Sequence, residues 1–416
     1  MDIQEQLTEL RRKISTINRK YADATPAVPQ ARLWPNSIRP ARYFVEELMS
    51  GEVVATTAGA HFETEKLYQS HRRHGSMDIS SLIELPEDLL DSLSGGTILK
   101  SHPKRWAFLD TETTGLAGGA GTYAFLIGVG SIDEEGFRVR QFFMRDFADE
   151  RSLLARLTEH LSHFDVLVTY NGKTYDVPLL ETRYRMARAR PPFARLAHLD
   201  LLHGARRLWK LRLDSCRLVD LENQILGLER EGDLPGEMIP YYYFQYLRTQ
   251  QAFQLVPIFH HNVMDIVSLA CLTAVVPFAF RSPEGMALRH GADMVGLARW
   301  LAQAGRFEEA VRLYRRAVDL GLRDDLLFKT MFEIGRLEKK LERYAAALAI
   351  YTDLAAARNP YRVSAFEELA KYYERRERNY AMALQMTRSA LFLEDSEPMR
   401  RREQRLRMRL SARGSK

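Results

Sequence analysis

A short apolar run that ends in two acidic residues constrains the fold of this chain more than any other feature. The run Trp106–Leu109 reads as a buried β-strand, and Asp110 and Glu112 follow it directly. Because alternate residues of a strand point to the same face, both carboxylates are aimed at one point. Two carboxylates this close repel each other unless a cation lies between them, and hard oxygen ligands suit Mg²⁺ or Mn²⁺. The pattern therefore predicts a divalent-metal site where a strand ends.

Three apolar segments separated by turns place this acidic pair in a sheet. They read RWAFLDTET, YAFLIGVGSID and FRVRQFFMRDF, and Asp133–Gly136 joins the last two as a hairpin. A helix over about Glu150–His163 and the short strand DVLVTY follow, and the later pattern is helical almost to the end. The order β-β-β-α-β-α predicts an α/β fold, a mixed sheet with helices on its faces. Residues 50–100 read as a mixed α/β segment of no clear type.

Two further polar motifs follow at wide spacing. Asp176 follows a predicted strand and an Asn-Gly loop, and it lies at the start of a predicted helix. An acid at this position also serves as a helix N-cap, so its presence alone does not indicate catalysis. His261 and Asp265 are four residues apart on a later helix and so share one of its faces. His260 is a rival to His261 for the same role. Each motif alone is weak evidence, whereas the ordered set is specific.

The order of these motifs resembles the DEDD exonucleases of the ribonuclease H-like superfamily. The forms DTETTGL, YNGKTYDVPLL and HHNVMDIVSL are similar to the YprB-type ribonuclease H-like domain of bacteria, and the resemblance covers about residues 40–280. It implies a 3′–5′ exonuclease with two divalent ions, Mg²⁺ or Mn²⁺, and a histidine that orients or deprotonates the attacking water. The implied metal ligands are Asp110, Glu112, Asp176 and Asp265, and the implied histidine is His261.

The residues around these acids are expected to contact nucleic acid. The glycine-rich run Gly115–Gly121 follows the first motif and allows a nucleotide to approach the backbone. The run precedes a strand instead of opening a helix, which excludes a dinucleotide-binding fingerprint. Arg183 opens a segment, 183–212, with nine basic residues and one acid, a concentration of charge that suits a phosphate backbone. The expected substrate contacts are Thr111, Thr113, Gly115, Leu116, Asn171, Tyr175 and Arg183.

Two other polar or aromatic features in this part of the chain have structural interpretations. Asp200, in the run HLDLLHGARRLWK, is interpreted as a helix cap instead of a fifth metal ligand. The run Tyr241–Tyr246 has enough aromatic rings to stack on bases, but buried helix packing is the favoured role for most of them.

A different pattern begins near residue 290. Three segments that start at Gly305, Glu342 and Arg378 align with offsets of 37 and 36 residues, with small residues between aromatic ones. This period indicates stacked helical hairpins. The segments resemble the tetratricopeptide repeat, and such repeats bind a protein partner or brace a neighbouring domain. Residues 399–416 hold eight Lys and Arg residues and one acid, as a solvated helix face, a disordered tail or a phosphate-binding segment would.

The ends of the chain complete the predicted organisation. Apolar residues at heptad spacing within residues 1–25 leave three alternatives open: a coiled coil that dimerises the protein, a helix packed on its own domain, or a frayed tail. The longest apolar stretch, Ser268–Phe280, is interrupted by Pro277 and is shorter than the roughly 18–20 residues of a membrane span. The predicted regions are an N-terminal helix and Pro-rich connector (1–45), a nuclease domain (46–285), helical repeats (290–396) and a basic tail (397–416).

Three functions fit these observations. The first is exonuclease action on single-stranded or frayed DNA or RNA, the second a structure-specific endonuclease, and the third a catalytically silent nucleic-acid-binding scaffold. The intact set of four acids weighs against the scaffold. With only two cysteines and a charged N-terminus that lacks the apolar core of a signal peptide, we expect a cytoplasmic protein with no membrane contact.

Overall fold

The computed structural model describes most of the chain as two compact units, each discontinuous in sequence. The sheet unit comprises the residues up to Glu84, Pro103–Leu199 and Leu226–Ala270, and the helical unit comprises Leu85–His102, Asp200–Ile225 and Cys271 to the C-terminus. The described residues are 43–69, 72–94, 96–98, 100–115, 121–230, 232–285 and 288–414. The predicted N-terminal helix, nearly all of the Pro-rich connector, and Leu116 therefore lie outside them.

The regular elements have these bounds. The strands are β1 (Glu52–Thr56), β2 (Gly59–Gln69), β3 (Arg73–His74), β4 (Met77–Asp78), β5 (Trp106–Thr113), β6 (Ala124–Ile132), β7 (Gly136–Phe143), β8 (Val166–Thr169) and β9 (Ala197–Asp200). The α-helices are α1 (Val45–Leu48), α2 (Asp91–Ser94), α3 (Glu150–Leu161), α4 (Asp176–Met186), α5 (Leu201–Trp209), α6 (Leu218–Leu221), α7 (Ile239–Thr249), α8 (Leu255–Arg281), α9 (Gly291–Gln303), α10 (Phe307–Leu320), α11 (Asp324–Lys340), α12 (Tyr344–Ala356), α13 (Arg362–Tyr372), α14 (Tyr380–Leu393) and α15 (Glu397–Gly414). Short 3₁₀ or π segments span Ile79–Glu84, Pro103–Arg105, Phe147–Asp149, Phe193–Arg195, Glu222–Leu226, Gly236–Met238, Ala252–Gln254 and Tyr373–Glu377.

A seven-stranded mixed sheet forms the centre of the sheet unit, in the order β1-β2-β7-β6-β5-β8-β9. Strands β1, β2, β7, β6 and β5 are antiparallel neighbours, whereas β8 runs parallel to β5. The predicted hairpin joins β6 to β7, and its turn is held by Asp133, whose carboxylate accepts hydrogen bonds from the backbone of Glu135 and Gly136. This arrangement confirms the predicted α/β class. The strands β1 and β2 account for the segment that the sequence left without a type.

The core of the sheet unit is largely aromatic and packs helix α7 onto the sheet. The rings of Phe125 and Tyr243 stack with centroids 3.9 Å apart, and the Tyr243 hydroxyl donates to the backbone oxygen of Met144 at 3.1 Å. Tyr242 and Tyr246 are buried as well. The packing role predicted for most of the tyrosine run is therefore confirmed.

Helix α8 carries the last of the predicted motifs. Together with the preceding turn it forms a continuous stretch, Ala252–Arg281, that is long and apolar enough by composition to cross a membrane. This stretch is longer than the run expected from the sequence, but 78% of its most apolar window is buried inside the protein. Helix α8 therefore has the burial of a core helix.

The helical unit contains the predicted hairpins in consecutive pairs, α9 with α10, α11 with α12 and α13 with α14. The aligned residues Phe307, Tyr344 and Tyr380 each begin the second helix of a pair. The small residues one turn later, Ala310, Ala347 and Ala383, are all buried. The period read from the sequence therefore corresponds to a structural repeat.

The boundaries of this unit do not follow the contiguous division of the sequence. Helix α5 belongs to the helical unit because it packs against α9. A side chain at Gly296 on α9 would overlap the backbone of Leu208 on α5, so glycine is what allows the two helices to approach. Arg212 and Asp293 join the same two segments with an ion pair of 2.9 Å.

The basic C-terminal segment is the helix α15, and much of its charge is neutralised within the helical unit. The carboxylate of Glu374 is buried and lies 3.0 Å from Arg402, 3.0 Å from Arg405 and 3.3 Å from Arg409. The described part of this segment is therefore an ordered capping helix of the repeats, not a disordered tail.

Candidate active site

Two glycines allow helix α8 to lie directly on the sheet beside the first motif. Asp110 and Glu112 on β5 pair with Gly128 and Leu126 on β6. A side chain at Gly128 would overlap Asn262 and Ile266 of helix α8, and one at Gly130 would overlap Ile266. Glycine at these positions therefore brings the helix that carries the third motif close to the strand that carries the first.

Asp110 is held by an amide network that reaches across the sheet. The side-chain nitrogen of Asn262 donates to Asp110 Oδ2 at 2.7 Å. Gln141 on β7 in turn donates to Asn262 Oδ1 at 2.8 Å, and to the backbone oxygen of Phe259 at 3.0 Å. Asn262 and Gln141 are both buried, and Gln141 holds the Asn262 amide in place. The orientation of the Asp110 carboxylate is therefore set by a buried hydrogen-bond network.

Asp176 joins the same site from the start of helix α4. It is the first residue of that helix, and the residue at the N-cap position is Tyr175, which makes no side-chain cap. The hydroxyl of Thr111 donates to Asp176 Oδ1 at 2.6 Å. The Asp176 carboxylate is therefore turned toward β5, and the helix-cap interpretation does not describe it.

Asp265 and His261 lie on the same face of helix α8, as their spacing predicted. The Nε2 atom of His261 is 3.6 Å from Asp265 Oδ2. Its Nδ1 atom is 2.8 Å from Oδ1 of Asp233, a residue that the sequence reading did not select. His260, the preceding residue on the helix, is exposed to solvent. The geometry thus favours His261 over His260.

The pKa values of Asp110 and Glu112 are both raised by burial and by the charges of the neighbouring acids. Burial raises the pKa of Asp110 well above its ordinary value, and the negative charges of Asp265, Glu112 and Asp176 raise it further. Burial also raises the pKa of Glu112 to about 8, with His261 opposing the shift and Asp265 and Asp176 adding to it. Ionising Asp110 and Glu112 together is therefore unfavourable in the folded protein, and a bound cation would relieve this cost.

His261 responds to the same excess of negative charge. Burial lowers the pKa of His261, but the hydrogen bond to Asp233 and the charges of Asp265 and Glu112 outweigh it and raise the pKa to about 9. A cation that neutralised Asp265 and Glu112 would remove their part of this shift and lower the pKa of His261, while the hydrogen bond to Asp233 would remain.

These residues fit a divalent cation by charge and by donor type. Carboxylate oxygens are the ligands that Mg²⁺ and Mn²⁺ prefer; Glu112 is buried and Asp110 is partly buried, and the pKa values of both are raised by neighbouring acids. Among the described residues, no three His, Cys, Asp or Glu side chains are arranged around one point as a finished metal site. Two of the acids are held instead by protein donors, Asp176 by Thr111 and Asp265 by Arg230.

Comparisons with known proteins agree with this architecture. Residues 107–276, which include all four acids, match the RNase_H_2 family of the RNase_H superfamily. The protein YprB of Bacillus subtilis (strain 168) is 33% identical over 333 residues, which cover 78% of each of the two chains. The chain belongs to the YprB family of the RNase H superfamily. Membership of this superfamily supports a nuclease-type function.

A solved structure adds a weaker similarity. The family B DNA polymerase from the hyperthermophilic archaeon Pyrobaculum calidifontis has 16% sequence identity and a TM-score of 0.35. The match covers 54% of this chain and 30% of the polymerase chain. A TM-score of this size is too low to establish a shared fold.

The expected substrate contacts of this YprB-family chain fall into two groups. Thr113 and Tyr175 both donate to the backbone oxygen of Gly115, at 2.8 and 2.7 Å, and so anchor the start of the glycine-rich run beside the acids. Asn171 is exposed in the loop before Asp176, with a left-handed φ of 65°. These residues remain predicted contacts, and Thr111 has the additional role of positioning Asp176.

Arg183 has a different environment from the one expected. It is 3% exposed, donates to Glu150 at 2.7 Å, and its guanidinium lies 3.7 Å from the centre of the Tyr123 ring. These contacts give it a packing role, so a phosphate contact has no support at this position. Asp200 accepts a hydrogen bond from the backbone of Leu202 at the start of α5, which confirms it as a helix cap.

Four residues of the site were missed by the sequence reading: Gln141, Arg230, Asp233 and Asn262. Only Asn262 left a signal, because it is a polar residue on the apolar helix α8, one position after His261. Gln141 and Asp233 reach the site through tertiary packing alone.

Proposed function

We propose that this protein is a metal-dependent nuclease that hydrolyses phosphodiester bonds, acting as a 3′–5′ exonuclease on single-stranded or frayed DNA or RNA. The observation that carries the proposal is that four acids from three distant segments lie close together, where burial and mutual repulsion raise the pKa values of Asp110 and Glu112. A structural role would favour partners that neutralise these carboxylates. An excess of negative charge instead suits a site that binds cations.

The proposed roles follow from the contacts of each side chain. Asp110, Glu112, Asp176 and Asp265 would hold two Mg²⁺ or Mn²⁺ ions, which when bound stabilise the charge on the attacking and leaving oxygens. His261 accepts a proton from the attacking water at Nε2, since Nδ1 is occupied by Asp233. Asn262 and Thr111 keep Asp110 and Asp176 in place.

The same chemistry also fits a structure-specific endonuclease, because the four acids do not distinguish a phosphodiester bond inside a strand from one at its end. Exonuclease action is favoured by the resemblance of the three motifs to the DEDD enzymes. A partner protein bound by the helical repeats, a dimer formed through residues 1–25 and a cytoplasmic location stay predictions.

A cleavage assay on two substrates tests the proposal. The full-length protein is incubated with end-labelled linear strands and with circular single-stranded DNA, in Mg²⁺ or Mn²⁺ and in excess EDTA. We expect the linear strands to shorten from one end and the circles to remain intact, with no cleavage in EDTA. Opened circles would favour the endonuclease, and binding without cleavage of either substrate would contradict a nuclease.

A further inference from the structure

A fifth acidic residue contacts the proposed helper histidine from a loop outside the sequence motifs. Asp233 Oδ1 lies 2.8 Å from His261 Nδ1, and Asp233 Oδ2 accepts from Arg230 Nη1 at 3.0 Å. The exposed fractions of the Asp233 and His261 side chains are 21% and 15%, so the pair is shielded from solvent but not sealed off. The ring of His261 therefore has a close hydrogen-bond partner, and part of the pair is still exposed to solvent.

The chemistry of the pair determines which ring nitrogen faces the acids. An ionised carboxylate only accepts hydrogen bonds, so the imidazole must carry a hydrogen at Nδ1 to bond with Asp233. The Nε2 atom is then directed at Asp265, 3.6 Å away. A histidine held in this way presents the nitrogen that a water molecule at the site would meet.

Arg230 extends the same frame to the last acid. Its guanidinium is buried, and it contacts both Asp233 and Asp265. Because one rigid, planar group spans the two carboxylates, the loop that carries Asp233 and the helix that carries Asp265 cannot shift independently.

We propose that Asp233 is a positioning residue, which holds His261 with Nε2 facing the acids, and that Arg230 secures Asp233 in this place. The inference rests on the proposed nuclease function, and it adds a residue that is not one of the four metal ligands. Asp233 acts through His261 and does not itself touch the reacting atoms.

A double-mutant cycle separates this role from a merely structural one. Asp233→Ala and His261→Ala are made singly and together in the full chain, and kcat and KM are measured on an end-labelled single strand at saturating Mg²⁺. We expect Asp233→Ala to lower kcat by about 10- to 100-fold with KM changed less than twofold. In the His261→Ala background the same change should alter kcat less than twofold, because its target is already gone.

Conservative and control variants sharpen the cycle. Asp233→Asn keeps an oxygen that accepts a hydrogen bond from His261 Nδ1–H, so it should retain more activity than Asp233→Ala. If Asp233→Ala does not fold, Asp233→Asn takes its place in the cycle. Asp220→Asn is the matched control, because Asp220 also pairs with an arginine three residues earlier, Arg217, at 3.0 Å but contacts no histidine. It should leave kcat unchanged.

Losses of equal size in both backgrounds would overturn the inference, because Asp233 would then act independently of His261. A kcat that Asp233→Ala leaves unchanged in the wild-type background would overturn it as well. A wild-type protein that cleaves nothing would instead count against the proposed function. In that case the test is the His261 Nδ1 proton in NMR spectra, which should exchange slowly in the wild-type protein and rapidly in Asp233→Ala; equal exchange in both proteins would overturn the inference.

Discussion

Two buried polar clusters in the sheet unit contain histidine and carboxylate side chains, but they differ in how their charge is balanced. In the first, His61 Nδ1 lies 2.9 Å from the Ser152 hydroxyl, and His61 Nε2 lies 3.1 Å from Glu63 Oε1. Arg156 Nε also lies 3.1 Å from Glu63 Oε1. In the second, the four acids gather around Asp110. Burial would raise the pKa of Glu63, but His61 and Arg156 outweigh it and lower the pKa. The pKa of Glu112 is raised to about 8.

The difference separates a structural cluster from a candidate active site. The first cluster has the residue types of a Ser-His-Glu hydrolase, yet His61 and Ser152 are completely buried and no substrate could reach the hydroxyl. Its charges are paired within the protein. The Ser152 hydroxyl on helix α3 makes hydrogen bonds to Thr56 on β1 and to His61 on β2. The second cluster is left with negative charge for something else to neutralise. Residue types alone would have ranked the two clusters equally.

The largest expected effect is on cleavage. Asp110→Asn removes a proposed ligand but keeps the shape of the side chain, so activity in Mg²⁺ should fall at least about 1000-fold. Glu63→Gln, the matched change in the other cluster, should leave activity within about threefold, since that cluster only supports the fold. Both variants are measured on end-labelled strands with the wild-type protein. Cleavage by Asp110→Asn at the wild-type rate would show that the site is assigned wrongly.

The same two variants should change stability in opposite directions. Glu63→Gln leaves His61 without its anion and Arg156 with only Glu159, and should lower the free energy of unfolding by about 2 kcal/mol. Asp110→Asn removes an acid whose ionisation is opposed by burial and by its neighbours, and should raise the free energy of unfolding by about 1 kcal/mol in EDTA above pH 8, where these acids ionise. Thermal melting in EDTA compares them, and a stability loss of similar size in both would contradict the contrast between the clusters.

The pH dependence of stability should also differ in sign. Because the folded pKa of Glu112, about 8, exceeds its ordinary value of 4.5, the folded state holds an extra proton between these values, and stability falls as the pH rises through this window. The lowered pKa of Glu63 acts in reverse, so its contribution is present above its ordinary pKa of 4.5 and is lost as the pH falls through the folded value. Urea unfolding in EDTA at pH 5, 7 and 8.5 measures the first effect. Asp110→Asn should reduce the fall in the free energy of unfolding between pH 5 and 8.5. A wild-type free energy of unfolding that rises over this range would contradict the raised pKa of Glu112.

The smallest expected effect is on His261 itself. In EDTA its pKa should be about 9, and Mg²⁺ should lower it by at least about 1 unit because the charges that raise it are neutralised. NMR titration of the His261 ring signals, with EDTA and with Mg²⁺, measures the difference. A His261 pKa that Mg²⁺ leaves unchanged would indicate that the cation does not bind beside it.

Much of the fold and the ordered set of acids could be predicted because they depend on the spacing of residues that are near one another in the sequence. The central strands, the β6–β7 hairpin and the spacing of His261 and Asp265 follow from periods of two and of about four residues. Strands β1 and β2 escaped prediction because β2 mixes apolar and charged residues and has no clean alternation. Periodicity cannot detect a pairing that depends on the partner strand.

The supporting residues of the site were harder to predict, for a different reason. Asp233 and Gln141 reach the site from segments 28 and 121 residues away from their partners, so no local spacing marks them. Arg183 shows the opposite error, because a basic residue in a basic segment looks available in the sequence, whereas it is buried against Tyr123 and Glu150. Charge counts do not reveal which guanidinium groups the fold has already paired.

Binding of Mn²⁺ to the four acids can be measured without a substrate and without any cleavage activity. Electron paramagnetic resonance on the full-length protein measures bound Mn²⁺ for the wild type, for Glu63→Gln and for Asp110→Asn. The account predicts saturable binding to the wild type and to Glu63→Gln, and at least about tenfold weaker binding to Asp110→Asn. Equal binding to all three proteins, or none to the wild type, would contradict it.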